Sequence, residues 1–196
     1  MSPAHVLEPT YRRLKRGLME GLWARGQKLE ALRLADDFGV SMTPVRDCLN
    51  RLAGETMVEM KPGEGYRAVR IGERDFREML ETNEILVQAA IAREDAGCAI
   101  RQSEPRGSDY ADRVAAIFSL LAAHTGNSEL VRTVDALSDR LHVVRRLEPE
   151  IFLDADEELD RLAQLAYAHD PRLSSCTKDY HARRSRAAAQ LIRRLS

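Results

Sequence analysis

The stretch LADDFGVSMTPVRDCLNRLAGETMV, residues 34–58, decides how the first third of this chain is read. Apolar residues recur at helical spacing up to Phe38, and Gly39 then suits a left-handed helix end. Ser41 or Thr43 suits the cap of the next helix, and Pro44 falls in its first turn, where a missing N–H breaks no hydrogen bond. The spacing predicts a helix from about Pro44 to Gly54. Its apolar face is Val45, Cys48, Leu49 and Leu52, which leaves Arg46, Asp47, Asn50 and Arg51 on other faces.

Working outward, Tyr11, Leu14, Leu18 and Leu22 form one helical stripe and Leu29, Leu32, Ala35 and Phe38 another, predicting two short helices upstream. Downstream, MVEMK, PGEG and YRAVRI read as two short strands around a Pro/Gly turn, a hairpin over roughly 57–71. Three helices and a hairpin make a winged helix-turn-helix. From Asp75 onward only helical patterns recur, over 75–96, 109–124, 128–147, 150–169 and 171–195. The chain is therefore expected to be mainly α, with a winged helix-turn-helix over 1–73 and an all-α bundle over 74–196.

Composition sets the outer bounds. In 196 residues, 44% are hydrophobic, 31% are charged and the formal net charge is −1. No apolar run approaches the length of a membrane span and no secretory core precedes the first helix, so a cytoplasmic protein without membrane partners is expected. Residues 1–75 carry 13 Lys/Arg against 11 Asp/Glu, a balance that permits a nucleic-acid partner without arguing for one. Cys48, Cys98 and Cys176 are far apart with no C-x-x-C spacing, which fits reduced structural thiols. No nucleophile, base and acid set, phosphate loop or complete metal cluster is apparent, so no enzymatic activity is expected.

In a helix-turn-helix the second helix enters the major groove, which makes Arg46 the foremost candidate for a base contact, because a guanidinium bonds guanine bidentately. The alternative reading of a lone arginine on a helix is a solvated surface group. The whole segment from Leu34 to Val58, with the glycine-containing turn beyond it, resembles the winged-helix domain of GntR-type bacterial transcription regulators. That resemblance implies double-stranded DNA as partner, with a contact set of Arg33, Ser41, Thr43, Arg46, Asn50, Arg51, Gly63 and Gly65. Two departures stand out. Met42 replaces the arginine before Thr-Pro, and Glu64 occupies a wing tip where a basic or polar residue is usual; each removes or opposes a phosphate contact.

Residues 75–196 resemble the FCD-type effector domain of the FadR and VanR branches of that family. RDFREMLETNEILVQAAIARE corresponds to its first helix, GNSEL to its Gly-Asn turn and AYAHDPRLSSCTKDYH to its closing Asp-to-His segment. Arg101–Ser108 is expected to be a mobile loop. Many members of that branch hold a metal through one aspartate and three histidines; here those positions fall on Val114, Phe118, Leu159 and His181, so no metal and no cofactor are expected. Counting in another register draws attention to Asp112, His124, Asp156 and Asp160 instead. Asn83 stands where the family often has a carboxylate-gripping arginine, and Val87 at a nearby glutamate position. The effector set Asn83, Val87, Val114, Phe118, Leu159 and His181 thus predicts either a pocket for a small, relatively apolar molecule or a closed core. The basic segment HARRSRAAAQLIRRLS reads as a solvated helix end, and LDADEELD as a solvated helix start rather than a calcium loop. The resemblance implies a homodimeric, ligand-responsive repressor on a pseudo-palindromic operator. The alternative is a protein-interaction module that has lost effector sensing.

Overall fold

In the computed structural model, which describes residues 3–93 and 109–195, the chain divides into two units, Met1–Ile71 and Gly72–Leu195. It is mainly α, a winged helix-turn-helix followed by a helical bundle.

The first unit contains α1 (Pro3–Glu20), β1 (Lys28–Leu29), α2 (Ala31–Phe38), α3 (Met42–Gly54), β2 (Val58–Lys61) and β3 (Gly65–Ala68). Gly39 ends α2 with φ at 67°, its N–H reaching Ala35 O and Asp36 O, a conformation that favours a residue without Cβ. Ser41 is the extended N-cap of α3, so the helix starts two residues before the predicted Pro44 while Pro44 stays in its first turn. The predicted stripe Val45, Cys48, Leu49 and Leu52 is fully buried, against Tyr11 and Leu14 of α1, Leu34 and Ala35 of α2 and the start of the hairpin. Burying a leucine stabilises by roughly 1.5–3 kcal/mol, so this stripe alone holds α3 on the core.

Two details depart from the periodicity. The first helix begins at Pro3, well before Tyr11. Leu29, expected at a helix start, instead lies in β1, which pairs antiparallel with β3 (Lys28 with Arg67, Leu29 with Tyr66) and makes the sheet order β1-β3-β2. A two-stranded ribbon is marginal alone, and the third strand with the buried Leu29 anchors it.

The second unit contains α4 (Glu73–Ala92), α5 (Tyr110–Ala123), α6 (Ser128–Arg145), α7 (Glu148–Ile151), α8 (Ala155–Tyr167), α9 (Leu173–Arg186) and α10 (Ala188–Arg194). Asp109 caps α5 by accepting from Asp112 N, and Asn127 caps α6 by accepting from Glu129 N and Leu130 N. Helix α4 packs on α5, α6 and α9, and α5 on α6 and α8. Both long helices predicted at the C-terminal end are split. Phe152 is extended and buried between α7 and α8, and Ala187, at φ −90° and ψ 5°, divides α9 from α10. The predicted loop over 101–108 lies outside the described residues.

Candidate nucleic-acid interface and buried polar cluster

Helix α3 and the β2–β3 turn carry most of the predicted DNA-contacting residues. Burial of Val45, Cys48, Leu49 and Leu52 leaves Ser41, Thr43, Arg46 and Asn50 exposed, with Thr43, Arg46 and Asn50 one turn apart along one face. Among the described residues, Arg46 has neither a carboxylate nor a hydrogen-bond partner, so its guanidinium is available to a ligand. At the tip of the hairpin, Gly63 and Gly65 take φ values of 77° and 86° in open space, closed by Glu64 N donating to Lys61 O at 3.0 Å. A side-chain bond joins wing and helix: Tyr66 Oη donates to Asn50 Oδ1 at 2.7 Å, which orients the Asn50 amide.

Two members of the predicted set sit elsewhere. Arg33 lies on α2, exposed and 3.1 Å from Glu30. Arg51 turns toward α1: its guanidinium stacks 3.5 Å from the Tyr11 ring centroid, Nη1 reaches Glu8 at 3.2 Å and Nε reaches Glu55 at 3.3 Å. Glu55 also accepts from Tyr11 Oη at 2.7 Å and Lys15 Nζ at 3.0 Å. Partners that favour its charged form hold the Glu55 carboxyl below its usual range despite the opposing effect of desolvation. Arg51 is thus a clasp between α3 and α1. Nearby Cys48 is buried and its thiol is pushed up to about 11, chiefly by desolvation, so it is a packing group and not a nucleophile.

In the helical unit, all six predicted effector-set residues, Asn83, Val87, Val114, Phe118, Leu159 and His181, are buried. Three of them meet. Phe118 and His181 stack with ring centroids 5.4 Å apart, and His181 Nε2 lies 3.0 Å from Asn83 Oδ1 while Nδ1 faces Thr177 O at 2.7 Å. Desolvation lowers His181 to about 4, so the ring is neutral near pH 7. A fourth member was not foreseen: Arg145 of α6, fully buried, donates to Asn83 Oδ1 at 3.3 Å and lies 5.3 Å from the Phe118 ring. Asn83, read as removing the positive charge from this place, has a guanidinium brought to it from another helix.

A second buried cluster corrects the reading of the basic tail as a solvated helix end at Arg184, whereas the acidic segment is the exposed start of α8 with only Glu158 turned inward. Arg184 is wholly buried, donating to Glu148 at 2.9 Å and lying 2.5 Å from Glu158, while Tyr110 Oη accepts from its Nη2 at 2.9 Å and itself donates to Glu148 at 2.9 Å. Arg183 pairs with Asp154. Helical periodicity alone cannot tell a guanidinium facing water from one facing a buried carboxylate contributed by α7.

Residues 8–67 match the family model described as "Bacterial regulatory proteins, gntR family". The N-terminal unit carries a gntR-family domain. The Uxu operon regulator of Haemophilus influenzae is 36% identical over 74 residues, covering 35% of this chain and 28% of that regulator. The chain therefore matches less than a third of the length of this curated relative. Among solved structures, a transcriptional regulator GntR from Rhodococcus sp. RHA1 aligns with a TM-score of 0.73 at 15% identity, over 94% of this chain and 96% of that one. McbR/YncC of E. coli aligns with a TM-score of 0.65 at 16% identity, over 94% and 97%. Both likenesses extend past the gntR domain into the helical unit and establish a shared fold.

Within the gntR domain, α3 is the second helix of the helix-turn-helix and the β2–β3 turn is its wing. Met42 is exposed at the start of α3, and Glu64 at the wing tip lies 3.5 Å from Arg67, a neighbour that offsets part of its charge.

The positions that hold a metal in the resembled branch do not fit one here. Val114, Phe118 and Leu159 carry no donor atom, and both nitrogens of His181 face protein polar groups. The alternative register fares no better. Asp156 and Asp160 both pair with Arg113, and the His124 ring lies 6.1 Å from that of His169. Among the described residues, the group whose possible ligand atoms lie within 4.8 Å of one another is Asp109, Asp112 and His142. Its members are engaged with protein partners: Asp112 lies 3.0 Å from His142 Nε2 and Asp109 pairs with Arg146 at 3.4 Å. No described helix is long and apolar enough to cross a membrane.

Proposed function

We propose that this chain is a ligand-responsive, DNA-binding transcription regulator that acts as a homodimer, more specifically a repressor whose Gly72–Leu195 unit is an FCD-type effector and dimerisation domain. The observation that carries the reading is the unpaired, exposed Arg46 on α3 beside a glycine-tipped wing, within a segment that matches the gntR family. In this reading Arg46 reads a base edge, while Ser41, Thr43 and the α3 N-terminus hold phosphate. Arg33 and the wing glycines approach the backbone on either side. A single recognition helix spans only a few base pairs. Two related by two-fold symmetry read a pseudo-palindrome and multiply affinity. An effector that binds one arrangement of the dimer better than another shifts operator affinity by its differential binding energy.

The test is binding of the full chain to duplex DNA from upstream of its own gene at about 50 and 200 mM salt, with Arg46→Ala beside it. Salt-sensitive binding that weakens by about 1–3 kcal/mol in the variant supports the reading. Absence of binding at the lower salt, or an Arg46→Ala variant that binds as well as the wild type, rejects it in favour of an interaction module.

A further inference from the structure

The exposed side of α3 carries Met42, Thr43, Arg46, Asp47, Asn50 and Arg51, and Met42 is the apolar side chain among them. It is 39% exposed and stands outside the core that takes up Val45, Cys48, Leu49 and Leu52. A single exposed apolar residue is ordinary on a protein surface, so exposure alone assigns it nothing. Its place does. Met42 is the first residue of α3, one turn before Arg46 on the same side of the helix, with Asn50 one turn further on. In a helix-turn-helix the N-terminal turns of the second helix meet base edges. A side chain that shares the strip of Arg46 there faces the same groove.

We propose that Met42 is a specificity-determining residue that reads the C5-methyl group of a thymine, beside a guanine read by Arg46. The inference rests on the DNA-binding reading above and adds a base-pair preference that the reading leaves open.

The chemistry follows from what the major groove displays. Guanine presents two acceptors, cytosine a donor and adenine one of each, whereas thymine adds an apolar methyl group to its acceptor. A thioether has no donor and is only a weak acceptor. Pressed against a G·C pair, Met42 would strip water from polar edges without replacing their hydrogen bonds, which costs free energy. Against thymine it covers a methyl group and gains from the removal of apolar surface from water. Three rotatable bonds and a polarisable sulfur let the side chain shape itself to that methyl. Hydrogen bonding on this face falls instead to Arg46 and to Asn50, whose amide is oriented by Tyr66. Spacing places the thymine. Four helical residues rise about 6 Å against about 3.4 Å per base pair, so the two contacts fall about one or two base pairs apart.

The test selects duplexes from a pool with a randomised centre, using the full chain at about 50 mM salt. The wild type is expected to enrich a thymine one or two base pairs from a guanine. Arg46→Ala loses the guanine. Met42→Ala, whose side chain ends at Cβ and leaves the methyl uncovered, keeps the guanine and loses the thymine, and Met42→Arg exchanges that thymine for guanine. The selected duplex is then made with deoxyuridine, cytosine or 5-methylcytosine in place of the thymine. Wild-type binding weakens about fourfold when uracil removes the methyl, and 5-methylcytosine binds more tightly than cytosine. Met42→Ala shows neither difference. Met42 lies outside the core, so both its variants melt with the wild type, and melting on the same samples separates lost contact from lost fold. A uracil duplex bound as tightly as the thymine duplex, a methyl effect of the same size in Met42→Ala, or enrichment of G·C at that position by the wild type would each overturn the inference while leaving the DNA-binding reading intact. Failure of the wild type to enrich any duplex rejects that reading, and the role of Met42 with it.

Discussion

The gntR domain keeps the arginines of α3 at the surface, whereas the helical unit buries two of its arginines completely. On α3, Arg46 stays exposed and unpaired, and even Arg51, committed to Tyr11, keeps about half its side chain in solvent. In the helical unit, Arg145 and Arg184 are buried completely. An exposed cation retains its hydration until a phosphate or base displaces it, so it suits a partner that arrives as a whole surface. A buried cation has already lost its hydration and needs a fixed anion, from the chain or from a ligand. The first unit thus meets charge at its surface, and the second meets it in its core as well.

Removing the matched arginine, Arg184, has the largest expected effect. Arg184→Met leaves Glu148 buried without its guanidinium and is expected to cost about 3–5 kcal/mol, measured by denaturant unfolding. An unchanged midpoint would mean that the Glu148 carboxyl is not held as an ion by Arg184.

Next comes the histidine beside the unmatched arginine. His181 is lowered from 6.5 to about 4 by burial, so between those values the unfolded chain binds the extra proton and the folded chain does not. Stability therefore rises with pH across that window and is lost on acidification, by roughly 3 kcal/mol at its lower end. His181→Gln is expected to flatten the melting temperature against pH between about pH 4 and 6.5; a slope equal to that of the wild type would show that the imidazole protonates freely in the fold.

Smaller effects sharpen the contrast within α3 itself. Arg51→Ala is expected to destabilise the gntR domain by about 1 kcal/mol through loss of the stacked contact with Tyr11, whereas Arg46→Ala leaves the melting temperature unchanged and acts on DNA binding alone. Melting and anisotropy on both variants would refute this division if Arg46→Ala proved the more destabilised. Least of all, Tyr66→Phe is expected to shift stability by under about 0.5 kcal/mol. It should nonetheless alter base preference at the position facing Asn50, read by competition among operator variants, since the amide loses the bond that orients it.

The gntR domain was the more legible unit because its signals are local. Gly39, Ser41 and Pro44 punctuate the chain where the backbone requires them, and Val45, Cys48, Leu49 and Leu52 mark the buried side of α3 by spacing alone. Strand β1 was missed because Leu29 satisfies a helical stripe equally well; pairing with β3, more than thirty residues away, decides its conformation. Arg145 had a signal that was overlooked. It continues the stripe Val134, Ser138 and Leu141 at helical spacing, which places it on the inward side of α6.

Residue type and short-range spacing were enough to set the two-part organisation and the helix-turn-helix with its exposed Arg46. Only the tertiary structure decided which charges are matched. Glu148 reaches Arg184 from another helix across 36 residues, and Asn83 meets Arg145 across 62. Charge pairing in a core depends on which helix faces pack together, and that is set by the burial of the whole bundle and not by any one segment.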